Sequence, residues 1–153
     1  MSDTIRMRGS LEIVLQDLQG TEVDRRSIKN VVVTAGRSWV LQQICSSNIV
    51  TSQSISYLAV GTGTSNAPAT SDTALQSETT RLAIGTFATG NLSSNPPSWQ
   101  AQTSFATNQA NTTLGEAGLF NSSASGTLLA RATFATLNKT TSNTLSISYT
   151  ISN

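Results

Sequence analysis

Large apolar residues and hydroxyl-bearing residues alternate strictly near the end of the chain. Every second position carries one kind and the positions between carry the other: Leu145, Ile147, Tyr149 and Ile151 against Ser146, Ser148, Thr150 and Ser152. Successive side chains of a β-strand point to opposite faces of its sheet. The alternation therefore predicts a strand with one packed face and one hydroxyl-bearing face.

The same period of two recurs through most of the chain. It is present in residues 55–59, 82–86, 99–105 and 128–134. Short polar connections separate such segments about every ten residues, which is typical of antiparallel β-sandwiches. The sequence therefore predicts a mainly β fold, an antiparallel β-sandwich of jelly-roll or immunoglobulin-like type, whose body covers residues 52–153.

The beginning of the chain predicts a charged hairpin. Residues 11–15 alternate between apolar and mostly polar positions, and Gly20 supplies a turn before a return strand from about residue 21. Residues 1–34 are thus expected to form an N-terminal arm and hairpin. Together with the body they are expected to make a single domain over residues 1–153.

A short helix is predicted between the hairpin and the body, over residues 35–46. Val40 and Ile44 are four residues apart, as are Leu41 and Cys45, and this spacing is typical of an amphipathic helix. Trp39 is expected to anchor the helix by packing.

Charged residues are scarce. Lys, Arg, Asp and Glu make up 11% of the 153 residues, against roughly 25% in an average soluble domain, and their formal sum is +1. Ser and Thr are abundant, with 23 of each. Few ions lose water when such a surface is buried, so the composition favours a protein that assembles with other copies or with a lattice.

The chain lacks the residues that several kinds of catalytic and cofactor-binding site require. The chain has no His and one Cys, Cys45, which excludes imidazole catalysis, an intramolecular disulfide and a site with several thiolate ligands. Gly61 and Gly63 match part of the pattern of a phosphate-binding loop. No Lys-Ser or Lys-Thr pair follows them, so the pattern is incomplete. We therefore expect no cofactor, no metal and no enzyme activity. We also expect no membrane segment, because no run of about 18 apolar residues occurs.

Most of the charge lies at the beginning of the chain. Eleven of the 17 charged residues lie between Asp3 and Arg37. The basic residues alternate with acids and have no flanking aromatic residues, which argues against nucleic-acid binding. We expect them to contact an acidic surface of a partner. These candidate partner contacts are Arg6, Arg8, Arg25, Arg26 and Lys29.

Two other functions stay open from the residues alone. A hydrolase needs two carboxylates about 5 to 10 Å apart, and the carboxylates of the body are Asp72, Glu78 and Glu116. Acids close to arginines are more often structural ion pairs. A carbohydrate-binding or receptor-binding site would use Trp99 with the polar loops beside it.

Four strings and one lysine in the body form an ordered set: residues 56–64 (SYLAVGTGT), 72–81 (DTALQSETTR), 115–120 (GEAGLF) and 126–134 (GTLLARATF), then Lys139. As a set they resemble a family of small structural proteins of tailed bacteriophages, cyanophages included, which are described as tail-fibre, baseplate or capsid-associated components. The resemblance spans about residues 31–152. It implies no catalytic residues and assigns architectural ion pairs, which are Asp72 and Glu78 with Arg81, and Glu116 with Arg131 across two strands.

The resemblance implies a virion structural protein. A single small domain with a charged hairpin is similar to a capsid cement or decoration protein, which binds the major capsid protein, often as a homotrimer. We therefore expect synthesis in the host cytoplasm and a place on the capsid surface, with neither nucleic acid nor a membrane as partner. The alternative is a tail-fibre, baseplate or other tail component with a receptor-binding or carbohydrate-binding role.

Overall fold

The computed structural model describes residues 6–45 and 54–153. Within them lie nine strands, which make up 53% of the chain, and one short helix. The elements in chain order are β1 (Arg8–Asp17), β2 (Glu22–Val32), α1 (Thr34–Cys45), β3 (Tyr57–Gly61), β4 (Glu78–Ala83), β5 (Thr86–Ala88), a 3-10 turn (Gly90–Ser93), β6 (Ser98–Phe105), β7 (Thr113–Phe120), β8 (Leu128–Asn138) and β9 (Asn143–Ser152). The predicted mainly β class with one short helix is confirmed. Residues 1–5 of the predicted arm, the predicted helix end at Ser46 and residues 52–53 of the predicted body lie outside the described residues.

The strands form one curled antiparallel sheet, a half-barrel, in the order β4-β3-β7-β8-β2-β1-β9-β6-β5. The predicted hairpin is present as β1 and β2. β2 belongs to both halves of the sheet, since its residues 22–30 pair with β1 while Val31 and Val32 pair with β8. The predicted sandwich has two separate sheets, whereas the structure has one. The reason is that the eleven-residue strand β2 is long enough to continue from one half of the sheet into the other. The sandwich type stays a prediction.

The two outermost strands of the sheet, β4 and β5, are consecutive in the chain. Only Ile84 and Gly85 separate them. The Ile84 N–H donates to the Ser56 carbonyl beside β3 (2.8 Å), and the Gly85 N–H donates to the Gln102 carbonyl of β6 (3.0 Å). The curl of the sheet therefore brings its two edges together at this corner. The alternation over residues 82–86 predicted one strand, which is interrupted here where the backbone passes between the two halves.

The main core lies between the two halves of the curled sheet. The alternating apolar residues of β9 are all buried, as predicted, and β1 contributes Leu11, Ile13 and Leu15 from the neighbouring strand. The Tyr149 hydroxyl of β9 donates to the Ala117 carbonyl of β7 (2.7 Å). Because β7 and β9 are not neighbours in the sheet, this bond joins the two halves directly. Burial raises the pKa of Tyr149.

A second, smaller core lies on the other face of β3, β7 and β8. Its members are Val33, Ala59, Leu75, Phe120 and Leu128. The loop at residues 62–77 supplies Leu75 to this core. The Arg81 guanidinium lies 3.7 Å from the centroid of the Phe120 ring, a cation–π contact. β7 is therefore buried along nearly all its length, and its residues 114–120 are buried on both faces.

Helix α1 packs on β8 through Gly36. Gly36 is buried against the backbone of Leu129, and Trp39 is partly buried against the core as predicted. Leu41 and Ile44 are 59% and 74% exposed, so the predicted apolar face is wrong for these two residues. The close approach at Gly36 decides which side of the helix faces the sheet. No helix in the described part of the chain is long or apolar enough to cross a membrane.

Replacing Gly36 by Ala tests this packing. An added Cβ would lie 2.5 Å from the carbonyl oxygen and 2.6 Å from the Cα of Leu129. Ala favours a helix over Gly by about 1 kcal/mol, but the overlap with backbone atoms should dominate and lower the free energy of unfolding by about 1–3 kcal/mol. Urea denaturation measures the change. Ser38→Ala on the exposed side of α1 is the control and should be near neutral; a stabilised Gly36→Ala would contradict the close packing.

Candidate functional site

Two of the five candidate partner contacts already have partners within the chain. Arg25 on β2 binds the carboxylates of Glu22 (Nη2 to Oε2, 2.6 Å) and Glu12. Arg26 binds Asp24 (2.7 Å) and also donates to the carbonyls of Ala135 and Thr136. The hydrogen bond from Arg25 lowers the pKa of Glu22. These two arginines are therefore neutralised locally and stabilise the hairpin rather than offering free charge.

Three other cations line one groove. Arg8 at the start of β1, Lys29 near the end of β2 and Arg37 in the first turn of α1 surround a volume of about 650 Å³. The three residues are exposed. Within the described residues, none of their side chains has a hydrogen-bond or ion-pair partner. We call this site the basic groove.

Antiparallel pairing explains why the basic groove forms. The register places Ser10 beside both Lys29 on β2 and Thr150 on β9, so the first residues of β1 meet the last residues of both neighbours. Side-chain hydroxyls complete the wall of the groove. They belong to Ser10, Thr70, Thr150 and Ser152. The basic groove therefore combines three cationic donors with four hydroxyl groups.

A glycine–asparagine contact is also part of the lining of the basic groove. Gly9 and Asn30 face each other in the β1–β2 register, and the Asn30 amide occupies the space that a Cβ at Gly9 would need. Both polar atoms of this amide are buried, and neither has a hydrogen-bond partner within the described residues.

A buried ion network holds the loop at residues 62–77 over the sheet. Glu116 on β7 is fully buried, and its carboxylate accepts hydrogen bonds from the N–H groups of Ser77 (2.6 Å) and Gln76 (2.9 Å). Arg131 on β8 donates from Nε to Glu116 (3.0 Å) and from Nη1 to Asp72 (2.9 Å). Its Nη2 lies 2.8 Å from Glu116 Oε2 at an angle that makes no hydrogen bond. The predicted pair of Glu116 with Arg131 is therefore present.

The prediction that Asp72 pairs with Arg81 was wrong. Asp72 pairs with Arg131, because the loop folds back over β7 and β8, and not with Arg81. Arg81 pairs with Glu78 (2.6 Å), as predicted, and also donates to the carbonyls of Ser122 and Ser125. Burial alone would raise the pKa of Asp72, but hydrogen bonds from the Ala69 N–H and from Arg131 outweigh it and leave that pKa below its ordinary value of 3.8.

The ion network also positions a wall of the basic groove. Asp72 accepts from the Ala69 N–H (2.9 Å), and the adjacent Thr70 carbonyl accepts from the N–H of Thr34 at the start of α1 (2.7 Å). Thr70 is one of the residues that line the groove. The carboxylates of the body thus act as structural anchors, each held by an arginine. No group of three or more potential metal ligands occurs among the residues that the structure describes.

A buried lysine has the same anchoring role at the far end of β8. Lys139 is 1% exposed and its ammonium donates to the Ala106 carbonyl (2.8 Å), to Asn111 Oδ1 (2.9 Å) and to the Asn143 carbonyl (3.1 Å). Burial lowers the pKa of Lys139. Ala106 and Asn111 belong to the loop between β6 and β7, and Asn143 is the first residue of β9, so Lys139 ties this loop to the start of β9.

Trp99 lies in an apolar pocket. The pocket has a volume of about 280 Å³ and is lined by both tryptophans, with Phe87 at its edge. The Phe87 and Trp99 ring centroids are 6.4 Å apart. Thr89 is the one hydroxyl-bearing residue among the described lining residues. Sugars need several convergent polar groups, so this lining does not favour the carbohydrate-binding alternative.

The structure brings together only part of the predicted contact set and adds a residue to it. Arg8 and Lys29 meet in the basic groove, while the Arg6 N–H donates to Asn153 Oδ1 and Arg6 lies outside the groove lining. Arg37 was missed because it lies on the helix rather than the hairpin; its place in the first helical turn after β2 is the signal that would have found it. None of the protein-family models, curated proteins or solved structures compared with the chain matches it.

Removing the charge of Glu116 should destabilise the protein strongly. Glu116→Gln leaves the buried Arg131 with one carboxylate, and breaking a buried ion pair in this way costs about 3–5 kcal/mol. Glu78→Gln is the control, because its pair is more exposed and should contribute about 1 kcal/mol or less. Chemical denaturation of both variants gives the comparison. Equal losses in the two variants would contradict the anchoring role of Glu116.

Acid should weaken the network through Asp72. Its pKa in the folded protein is lowered, so the unfolded chain binds this proton first as the pH falls. The stabilisation is therefore complete above about pH 5 and is lost as the pH falls through 3.8 and then through the folded-state pKa. The stability difference between wild type and Asp72→Asn should accordingly be largest near neutral pH and shrink in acid. A difference that is independent of pH in denaturation experiments would contradict this assignment.

Proposed function

We propose that this chain is a non-enzymatic structural protein of a tailed-bacteriophage particle, specifically a capsid cement protein. In this proposal it binds the major capsid protein on the capsid surface and associates with copies of itself as a homotrimer. The ordered strings that resemble the phage family motivate the proposal. The observation that carries it is the chemistry of one outward-facing, partly exposed sheet face.

The outward face of β9 and β6 carries no charge. Its residues are hydroxyl or amide residues: Thr144, Ser146, Ser148, Thr150 and Ser152 on β9, and Ser98, Gln100, Gln102 and Ser104 on β6. Gln102 donates to the Ser146 hydroxyl (3.0 Å) across the two strands. We call this surface the hydroxyl face.

The hydroxyl face is suited to being covered by another protein. No ion on it has to lose its water, and hydroxyl and amide groups form hydrogen bonds across an interface worth about 0.5–1.5 kcal/mol net each. Each subunit of a repeating shell contributes the same contacts, so modest contributions add over many copies. An enzyme needs a reactive group in a cleft, whereas Asp72, Glu78 and Glu116 are each engaged with an arginine.

The finer fold is part of the proposal. We propose that the two halves of the curled sheet act as the layers of a β-sandwich of jelly-roll or immunoglobulin-like type. The hydrogen bond from Tyr149 to Ala117 supports it, because this bond crosses the core between the halves. The hydroxyl face is then the outside of one layer.

A charge placed on the hydroxyl face should prevent incorporation into particles. Ser104→Glu adds a carboxylate at an exposed position of β6, where burial against a partner would cost several kcal/mol. We expect at least about a tenfold loss of occupancy, which corresponds to about 1.4 kcal/mol. Quantitative mass spectrometry of purified particles, from infections complemented with each variant, measures it.

Ser123→Glu is the matched control, because it adds the same charge at an exposed position in the turn between β7 and β8. It should be incorporated like the wild type. Absence of the wild-type chain from purified particles would overturn the proposal. Cryo-EM of the particles locates the chain, and density at the tail alone would replace the cement role by that of a tail component.

A further inference from the structure

We infer that the basic groove binds a short acidic segment of a different protein, through two or three of that segment's carboxylates. The inference rests on the proposed function in one respect: the acidic segment is taken to belong to the protein that this chain binds in the particle. The groove and the hydroxyl face share Thr150 and Ser152 at the end of β9. One partner can therefore cover both surfaces.

The first argument is the charge that the fold leaves uncompensated. Arg8, Lys29 and Arg37 converge on the groove, whereas Arg25 and Arg26 on the same hairpin are each paired with carboxylates. A formal charge of +1 for the whole chain thus conceals a local concentration of positive charge. Such a concentration attracts a surface of opposite charge and sets its orientation.

The second argument identifies the partner as a different molecule. Asp3 is the one acidic residue outside the described residues, and each of the others has a partner within its own chain: Glu12 and Glu22 with Arg25, Asp24 with Arg26, Asp17 with the N–H groups of Gln19 and Thr21, Asp72 and Glu116 with Arg131, and Glu78 with Arg81. Asp3 apart, a second copy would have to break one of these contacts to supply an acidic side chain. A partner with free carboxylates binds without that cost.

The third argument favours carboxylates of a protein over a nucleic acid. No aromatic side chain is present among the described lining residues, so bases have nothing to stack on. A phosphate chain that left the groove along β2 would pass Asp24 and Glu22. Tight binding of nucleic acid depends on many phosphate contacts, whereas three cations and four hydroxyl groups match a few carboxylates.

The size of the groove supports a short segment rather than a whole domain surface. Its volume of about 650 Å³ lies within the range of roughly 300–1,000 Å³ that is typical of pockets for small ligands. A few residues of an extended acidic loop or terminus fill such a volume. The planar guanidinium groups of Arg8 and Arg37 can each bind one carboxylate through two hydrogen bonds.

The test uses a fluorescein-labelled octaglutamate peptide and fluorescence anisotropy with the full chain. Wild type should bind the peptide, and added salt should weaken the binding, because exposed charges are screened. Lys29→Gln should raise the dissociation constant by about threefold, which is typical of one exposed ion pair. The double variant Lys29→Gln with Arg37→Gln should raise it by about tenfold.

Arg25→Gln is the matched control. It removes one positive charge from the same exposed face of β2 as Lys29, but from a residue that is already paired with Glu22 and Glu12. It should leave the dissociation constant unchanged. Thermal unfolding of each variant verifies that the fold is retained. An equal loss of binding in Arg25→Gln and Lys29→Gln would overturn the inference, because it would show a response to total charge alone.

Two further outcomes separate this inference from the proposed function. A labelled oligothymidylate that binds more tightly than octaglutamate would overturn the inference in favour of a nucleic acid. A double variant that neither loses peptide binding nor loses particle occupancy would overturn it while leaving the particle assignment intact. Conversely, groove-dependent peptide binding by a chain that is absent from particles would support the inference and contradict the proposed function.

Discussion

The buried contact between Glu116 and Arg131 is the interaction on which the surrounding architecture depends. It joins β7 to β8 in the interior, and the Glu116 carboxylate also accepts from two backbone N–H groups at the end of the loop at residues 62–77. That loop supplies Leu75 to the smaller core and Thr70 to the wall of the basic groove. A buried ion pair adds little net stability compared with apolar residues of similar size. Its value here is positional, since it determines where a long irregular loop lies.

The charged side chains are distributed unevenly between paired and unpaired positions. In residues 6–45 and 54–153, the acidic side chains are engaged with arginines or with backbone N–H groups, and the loop places Asp72 where it shares Arg131 with Glu116. The cations of the basic groove have no ion-pair partner within the part of the chain that the structure describes, while the hydroxyl face has no ions. Two adjacent surfaces therefore differ sharply in character. In the proposed assembly, the basic groove orients the partner through charge, and the hydroxyl face provides area that is easily dehydrated.

Patterns within a short stretch of sequence were enough to predict much of the fold. The alternation around Tyr149 reflects a strand with one buried face. The pairing of Glu116 with Arg131, which joins two neighbouring strands, was implied by the resemblance to the phage family and not by a local pattern. Contacts that depend on long-range folding were not predictable in this way. Asp72 reaches Arg131 only because the loop returns over the sheet, and the buried side of α1 is decided by close packing at Gly36 rather than by the spacing of Leu41.

The corner at Ile84 and Gly85 has a consequence for how copies of the chain can meet at the edges of the sheet. Exposed rows of unpaired N–H and C=O groups invite strand addition and fibrous precipitation. Here the outermost strands converge, one of them is three residues long, and the register of the other is shifted beside Gly61. The two edges of the sheet therefore offer little continuous backbone to which a strand of another copy could pair. Strand addition at the edges of the sheet is therefore a disfavoured way for copies of this chain to associate.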